Sequence, residues 1–181
     1  LSWGGRLQEA LKVVAKLPKP VIAAVNGVAA GAGMSFALAC DLRVAADTAG
    51  FSTAFAGIGL SCDSGASWTL PRLVGTARAK ELLLLPRTVS AAEALALGLV
   101  TQVVPADELE ATTSGIATRL AGGPTLAYGS IRRAIAYGAG HDLPASLAHE
   151  GELMGLTGSS DDHRIGVDAF LAKVPPAYSG R

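Results

Sequence analysis

Charge is scarce in this sequence and it cancels: 15 Lys and Arg stand against 15 Asp and Glu in 181 residues. Such a chain has no basic stripe to follow a phosphate backbone, which argues against nucleic-acid binding. Its densest basic pair is Arg132-Arg133. Half of the residues are apolar, so the chain is not of the disordered class either. Cysteine is rare, with only Cys40 and Cys62, and no Cys/His run has zinc spacing. We therefore expect no metal and a reduced, cytoplasmic setting. His141, His149 and His163 share no ligand spacing and read as solvated or helix-terminal residues. A lysine-bearing P-loop is lacking, and so is GxSxG around Ser64 or Ser67. Cys62 has no histidine near it in sequence to activate it. The first residue is Leu1 rather than Met, so the native N-terminus is expected upstream, and a missing leader tells nothing.

One stretch needs a membrane test. Pro20 to Cys40 carries no charge and holds a GxxxG run. It is mostly Ala and Gly, with an Asn26-Gly27 turn signal inside it. Few large aliphatics are present to gain energy from lipid, so a buried strand-turn-helix is the better reading.

Periodicity then places the elements. Gln8 to Leu17 repeats apolar residues on one helical face and stops at Pro18 and Pro20. Val21 to Val25 is uniformly apolar, as in a strand buried on both faces. Asn26 to Gly33 reads as a glycine-rich turn and Met34 to Cys40 as a buried helix. Leu42–Ala46 and Gly50–Ser52 read as short strands, and Ile58–Ser67 as a loop leading to a helix. A helix is expected over Ala77–Leu85. Ser90-Ala-Ala-Glu93 has the form of a capping box, opening a helix that ends near Gly98. Asp107–Ala121, Pro144–Leu156 and Asp161–Lys173 are amphipathic or capped helical segments. Pro124 suits the first turn of a further helix. No repeat, low-complexity tract or linker interrupts the chain. The order predicts an α/β core over residues 1–105 and a helical region over 106–181.

Two loops carry the chemistry. Asn26 to Gly33 opens a helix, and its small residues let a ligand approach amides that carry partial positive charge. That arrangement suits an anion or a developing oxyanion. Tight strand–helix packing uses the same residues and, taken locally, is the commoner role. Phe36 stands where a dinucleotide fingerprint needs its last glycine. In the second loop, Asp63 is a lone carboxylate among Ile58, Leu60, Cys62 and Trp68. Desolvation there is expected to raise its pKa and make it a proton shuttle. The local alternative is an N-cap for the following helix.

Taken together, Lys19–Gly27, Ala30–Gly33, Ala39–Arg43, Leu70–Gly75, Ala96–Val100 and Gly166–Lys173 resemble the enoyl-CoA hydratase/isomerase (crotonase) family. The resemblance runs in order along essentially the whole chain. It implies a spiral of ββα turns followed by a helical trimerisation region. It further implies a homotrimer or pair of trimers, an acyl-CoA thioester as substrate, and no cofactor beyond the coenzyme A of that substrate. The thioester oxygen would lie between two backbone amides. One falls here on Ala32, flanked by Gly31 and Gly33; the other belongs to an earlier segment not found in this sequence.

The two glutamate positions of the family's hydratases fall on Ser35 and Phe55, neither of which exchanges a proton. A branch of isomerases instead keeps one acid in the loop before the next helix, which here is Asp63. Ser61 to Trp68 is most similar to the ring-1,2-epoxyphenylacetyl-CoA isomerases, with Cys62 in place of a proline and Ala66 in place of a glycine. The resemblance thus implies a single-acid enoyl-CoA isomerase. Hydration or thioester hydrolysis is the alternative chemistry, and a non-catalytic acyl-CoA binder the alternative class. It also implies that Phe170 and Lys173, three apart on one helix face, meet the adenine and a phosphate of CoA; core packing and a helix-end charge are their structural alternatives.

Overall fold

Residues 3–181 are described by a computed structural model, in which they cluster into two units. The first unit takes the chain up to Lys16 and Val21–Ser114; the second takes Leu17–Pro20 and Gly115–Arg181.

In the first unit, α1 (Trp3–Lys16) stops at the two prolines, as its periodicity requires. A strand–strand–helix motif follows: β1 (Ile22–Val25), β2 (Val28–Ala30) and α2 (Ala32–Ala39). The motif then repeats as β3 (Leu42–Ala46), β4 (Gly50–Ser52) and α3 (Ala66–Leu84). Each strand of the second motif pairs in parallel with its counterpart in the first. Ile22 lies opposite Leu42 and Val28 opposite Gly50. Because β1 and β2 enter different sheets, the repeat winds as a spiral of ββα turns. Next come β5 (Val89–Ser90), α4 (Ala91–Ala96) and β6 (Gln102–Val104). The sheet orders are β1-β3-β6, all parallel, and β2-β4-β5, with β5 antiparallel. The core lies along β3 and β4, where Val44, Ala45, Ala46 and Phe51 are buried, together with Leu70 and Leu99.

Several expectations need correction. β1 is not buried on both faces; only Val25 is buried and Ala24 is exposed. Among the described residues β1 is an edge strand, and it is the central β3 that is covered on both sides. The glycine-rich turn contains β2, three residues with too little side chain to announce a strand. α3 begins eleven residues before Ala77 and bends at Gly75, whose φ of 77° and ψ of 159° lie outside the helical region. The capping box is half made. Ser90 Oγ accepts from the Glu93 amide at 3.2 Å, but the Glu93 carboxylate pairs with Arg87 instead of reaching back.

α5 (Leu109–Ala121) follows a short 3-10 turn, and the boundary between the units falls inside it. The second unit then carries α6 (Thr125–Gly138), α7 (Leu143–Gly158) and α8 (Asp161–Ala172). Asp142 caps α7 through Ala145 N–H at 2.9 Å, and Ser160 caps α8 through His163 N–H at 3.1 Å. These helices leave Ile135, Met154, Phe170 and Leu171 exposed. Among the described residues, no helix is long and apolar enough to cross a membrane, and no cluster of three metal-ligating side chains occurs.

Candidate active site

The glycine loop is shaped by Gly31, the residue before α2. Its φ of 51° and ψ of −118° suit glycine alone. Its N–H donates to Ser52 O at 2.9 Å, which fixes the turn on the end of β4. Ala32 is then the first residue of α2. The first amides of a helix have no intrahelical acceptor, so Ala32 and Gly33 offer donors at this end. Nothing lies within 4 Å of where a Cβ on Gly33 would be, so the approach is open.

The acid loop leaves a 3-10 turn (Ala56–Ile58) through Gly59 and reverses at Ser64 and Gly65, both left-handed with φ of 55° and 78°. Gly65, not Asp63, precedes the first turn of α3, and no side chain caps it. The capping alternative for Asp63 therefore fails. Its carboxylate accepts two hydrogen bonds, both on Oδ1: from Gln8 Nε2 at 3.1 Å and from Ser64 N–H at 2.6 Å.

These donors correct the expected electrostatics. The Gln8 amide, then the Ser64 N–H, hold the Asp63 carboxyl below its ordinary pKa, and desolvation opposes them only weakly. The apolar neighbours fail to bury it because Ile58, Leu60 and Trp68 are themselves exposed. Asp63 is thus a resting carboxylate, already in the form a base requires.

One hydroxyl joins the two loops. Ser35, on α2 and 1 % exposed, has its Oγ 3.1 Å from Gly31 O and 3.3 Å from Asp63 O. Ser35 thus anchors backbone where the resemblance would put an acid in a hydratase. Phe55 is likewise a packing residue, its buried ring beside Gly31. Gly31, Ala32, Gly33 and Asp63 consequently sit around a single buried serine.

Beside them lies a cleft of about 340 Å³ walled mainly by Leu11, Ala15, Leu38 and Trp68, with Gln8, Lys12, Ser64 and Thr69 as polar elements. Arg72 stacks its guanidinium 4.0 Å over the Trp68 ring. Ser64 Oγ is buried and, among the described residues, has no hydrogen-bond partner. Sequence reasoning missed Gln8, which lies 55 residues from Asp63, and no local signal pairs them.

Phe170 and Lys173 belong to the second unit. Phe170 is 81 % exposed and lines a cleft of about 400 Å³ with Tyr178 and Met154. Lys173 is not on the helix face with it. It lies just past α8 in the left-handed conformation, φ 56°, and its N–H closes the helix on Phe170 O. The core alternative for Phe170 fails on its exposure. His141 stacks on Tyr137 at 3.7 Å, and the Tyr137 and His149 rings lie 4.3 Å apart, so two of the three histidines form an aromatic cluster.

Comparison with known proteins matches residues 2–181 to the family model described as enoyl-CoA hydratase/isomerase. The "Probable enoyl-CoA hydratase" of Rhodobacter capsulatus is 45% identical over 171 residues, covering 94% of this chain and 66% of that protein. The 1,2-epoxyphenylacetyl-CoA isomerase of Escherichia coli is 46% identical over 168 residues, covering 93% of this chain and 64% of that protein. The crystal structure of an enoyl-CoA hydratase from Bacillus anthracis superposes with a TM-score of 0.94 at 36% identity, covering 98% of this chain and 69% of that one. The chain thus spans about two thirds of the length of these relatives. With the ββα spiral in place and the match running from end to end, the chain belongs to the enoyl-CoA hydratase/isomerase family.

Proposed function

We propose that the intact protein is an acyl-CoA-processing enzyme, an isomerase that shifts a double bond in an enoyl-CoA using Asp63 as its one catalytic carboxylate. The observation that carries this reading is the pairing, through Ser35, of an ionised acid with the open start of α2, at a site whose two hydratase glutamate positions hold Ser35 and Phe55. In the forward step the Asp63 carboxylate takes a proton from the carbon next to the alkene. The electrons of that C–H bond pass into the thioester carbonyl, giving an enolate, and the Ala32 amide stabilises its oxygen. The same carboxyl then returns the proton at the far end of the conjugated system, so no atom is gained or lost. A lone base suffices because the thioester supplies the acidity.

Hydration is the second reading, favoured by the similarity to proteins named as hydratases. Turnover in labelled water separates the two. We expect no oxygen to enter from H2(18)O, and deuterium from D2O to enter the acyl chain only as far as the Asp63 carboxyl exchanges its proton with solvent between the two steps. Stoichiometric uptake of the oxygen label would make the protein a hydratase.

The same proposal includes a homotrimer or a pair of trimers, a cytoplasmic location, and no cofactor beyond the coenzyme A of the substrate. The apolar residues left exposed on α6 to α8 support an assembly through the helical region, residues 106–181. Phe170 and Lys173 are assigned to the coenzyme A of an adjoining protomer. Lys173→Ala is then expected to raise KM for acyl-CoA severalfold at low salt, with kcat held and the effect shrinking as ionic strength rises. A KM unchanged at low salt would return Lys173 to the role of helix terminator.

A further inference from the structure

We propose that Gln8 is a positioning residue for Asp63: its side-chain amide holds the carboxylate by Oδ1 and leaves Oδ2 as the oxygen that takes the proton. This rests on the reading of Asp63 as the base and adds a residue to it. The geometry has three parts. First, Gln8 Nε2 lies 3.1 Å from Asp63 Oδ1, and Ser64 N–H lies 2.6 Å from the same oxygen. Two donors on one oxygen draw its lone pairs into fixed bonds, and among the described residues none is made to Oδ2. The carboxylate is therefore one-sided. Second, Gln8 reaches the acid from α1, whereas Ser35 reaches the Asp63 carbonyl from α2. The acid is thus held at its backbone by one helix and at its head by another. Third, Gln8 lines the same apolar cleft as Ser64 and Trp68, so it meets whatever fills that space.

A neutral amide is well suited to this task. A lysine at position 8 would pair with the carboxylate and suppress its basicity far more strongly. A glutamate would share a proton with it and keep it from ionising. An amide stabilises the resting carboxylate by an ordinary hydrogen bond and fixes its plane, while the carboxylate still takes a proton once the substrate is enolised.

The test uses Gln8→Met, which keeps length and apolar bulk but removes the donor, and Gln8→Glu in the intact protein. Two readouts are compared: the titration of the Asp63 carboxyl carbon by 13C NMR, and the acid limb of the pH profile of kcat/KM for a 3-enoyl-CoA. With the donor gone, the folded carboxyl loses its depression. Both midpoints are expected to move to higher pH together in Gln8→Met, and further in Gln8→Glu. At the plateau, kcat for Gln8→Met should fall on the order of tenfold as the acid loses its orientation. Gln8→Asn, which keeps a shorter amide, should recover part of both effects. An Asp63 titration that does not move overturns the contact, whatever the turnover does. A titration that moves while the pH profile stays put removes Asp63 from the reaction, and with it the role assigned to Gln8. If either substitution unfolds the protein, Gln8→Ala, which also removes the donor, carries the same two readouts with the same meaning.

Discussion

Asp63→Asn is expected to lower isomerisation of a 3-enoyl-CoA by about a thousandfold or more, the scale set by loss of a positioned general base. The substitution is close to isosteric. The Asn carbonyl oxygen can still accept from Ser64 N–H and Gln8 Nε2, the two bonds that fix the side chain. The left-handed turn at Ser64 and Gly65, and the Ser35 bond to the Asp63 backbone carbonyl, do not involve the carboxylate. Fold, assembly and acyl-CoA affinity should therefore survive. What is lost is the lone pair that accepts a proton. The loss should fall on kcat with KM nearly unchanged, because the contact that matters is made only in the transition state. Stopped-time product analysis with the purified variant, beside thermal melting to verify the fold, is the measurement. Near-normal turnover would sink the assignment and leave the site as an acyl-CoA binder whose chemistry lies elsewhere.

Arg43→Met should destabilise the first unit by roughly 2–4 kcal/mol, read as a lower midpoint in urea with the slope retained. Arg43 stands on β3 and is 7 % exposed. Its Nε donates to Leu99 O at 2.6 Å, and its Nη1 to Cys40 O and, at 3.5 Å, to Leu38 O. Its backbone N–H donates to Thr101 Oγ1 at 3.1 Å, and its carbonyl accepts from the Thr101 N–H at 2.8 Å. One side chain thus ties the end of α2, the strand beside it and the turn after α4. Burial lowers the Arg43 pKa, and the electrostatic influence of Cys40 and Asp41 opposes that shift. The guanidinium therefore costs desolvation, which methionine escapes. The cost on the other side is larger: buried carbonyls lose their donor, at about 1–3 kcal/mol each. Arg43→Lys should fall between, since an ammonium does not span acceptors as a planar fork does. A midpoint equal to that of the unsubstituted protein would show that these carbonyls find water or other donors. The Ala39–Arg43 segment, which carries part of the family resemblance, is thereby a structural clasp. Asp41 contributes by accepting the Val21 N–H at 2.7 Å.

How much was legible in the sequence follows from the range of the signals. β3 and β4 were read to the residue, because short apolar runs bounded by Asp41, Asp47 and Thr53 leave little choice of register. β2, β5 and β6 were not, being two or three residues long and held by partners elsewhere in the chain rather than by their own propensity. α3 was found only beyond Gly75, because the bend breaks its period and Pro71 masks its first half. At the site, Gly31 and Asp63 stood out as residue types in telling places. The environment of Asp63 did not. Its neighbours in sequence suggested an apolar pocket, while the residue that governs it is supplied by α1. The pKa shift therefore runs opposite to the one the loop suggests: sequence shows what is adjacent along the chain, and ionisation depends on what is adjacent in space.

The Ser35 hydroxyl has a single hydrogen and two carbonyls in reach, Gly31 O at 3.1 Å and Asp63 O at 3.3 Å. It cannot satisfy both fully at one instant. When the hydrogen points toward one carbonyl the bond to the other weakens, so the glycine turn and the acid's loop share a single donor. Asp63 and the Ala32 amide, the proposed base and oxyanion donor, are tethered through the same hydroxyl. That hydroxyl lies buried where solvent cannot supply a competing partner.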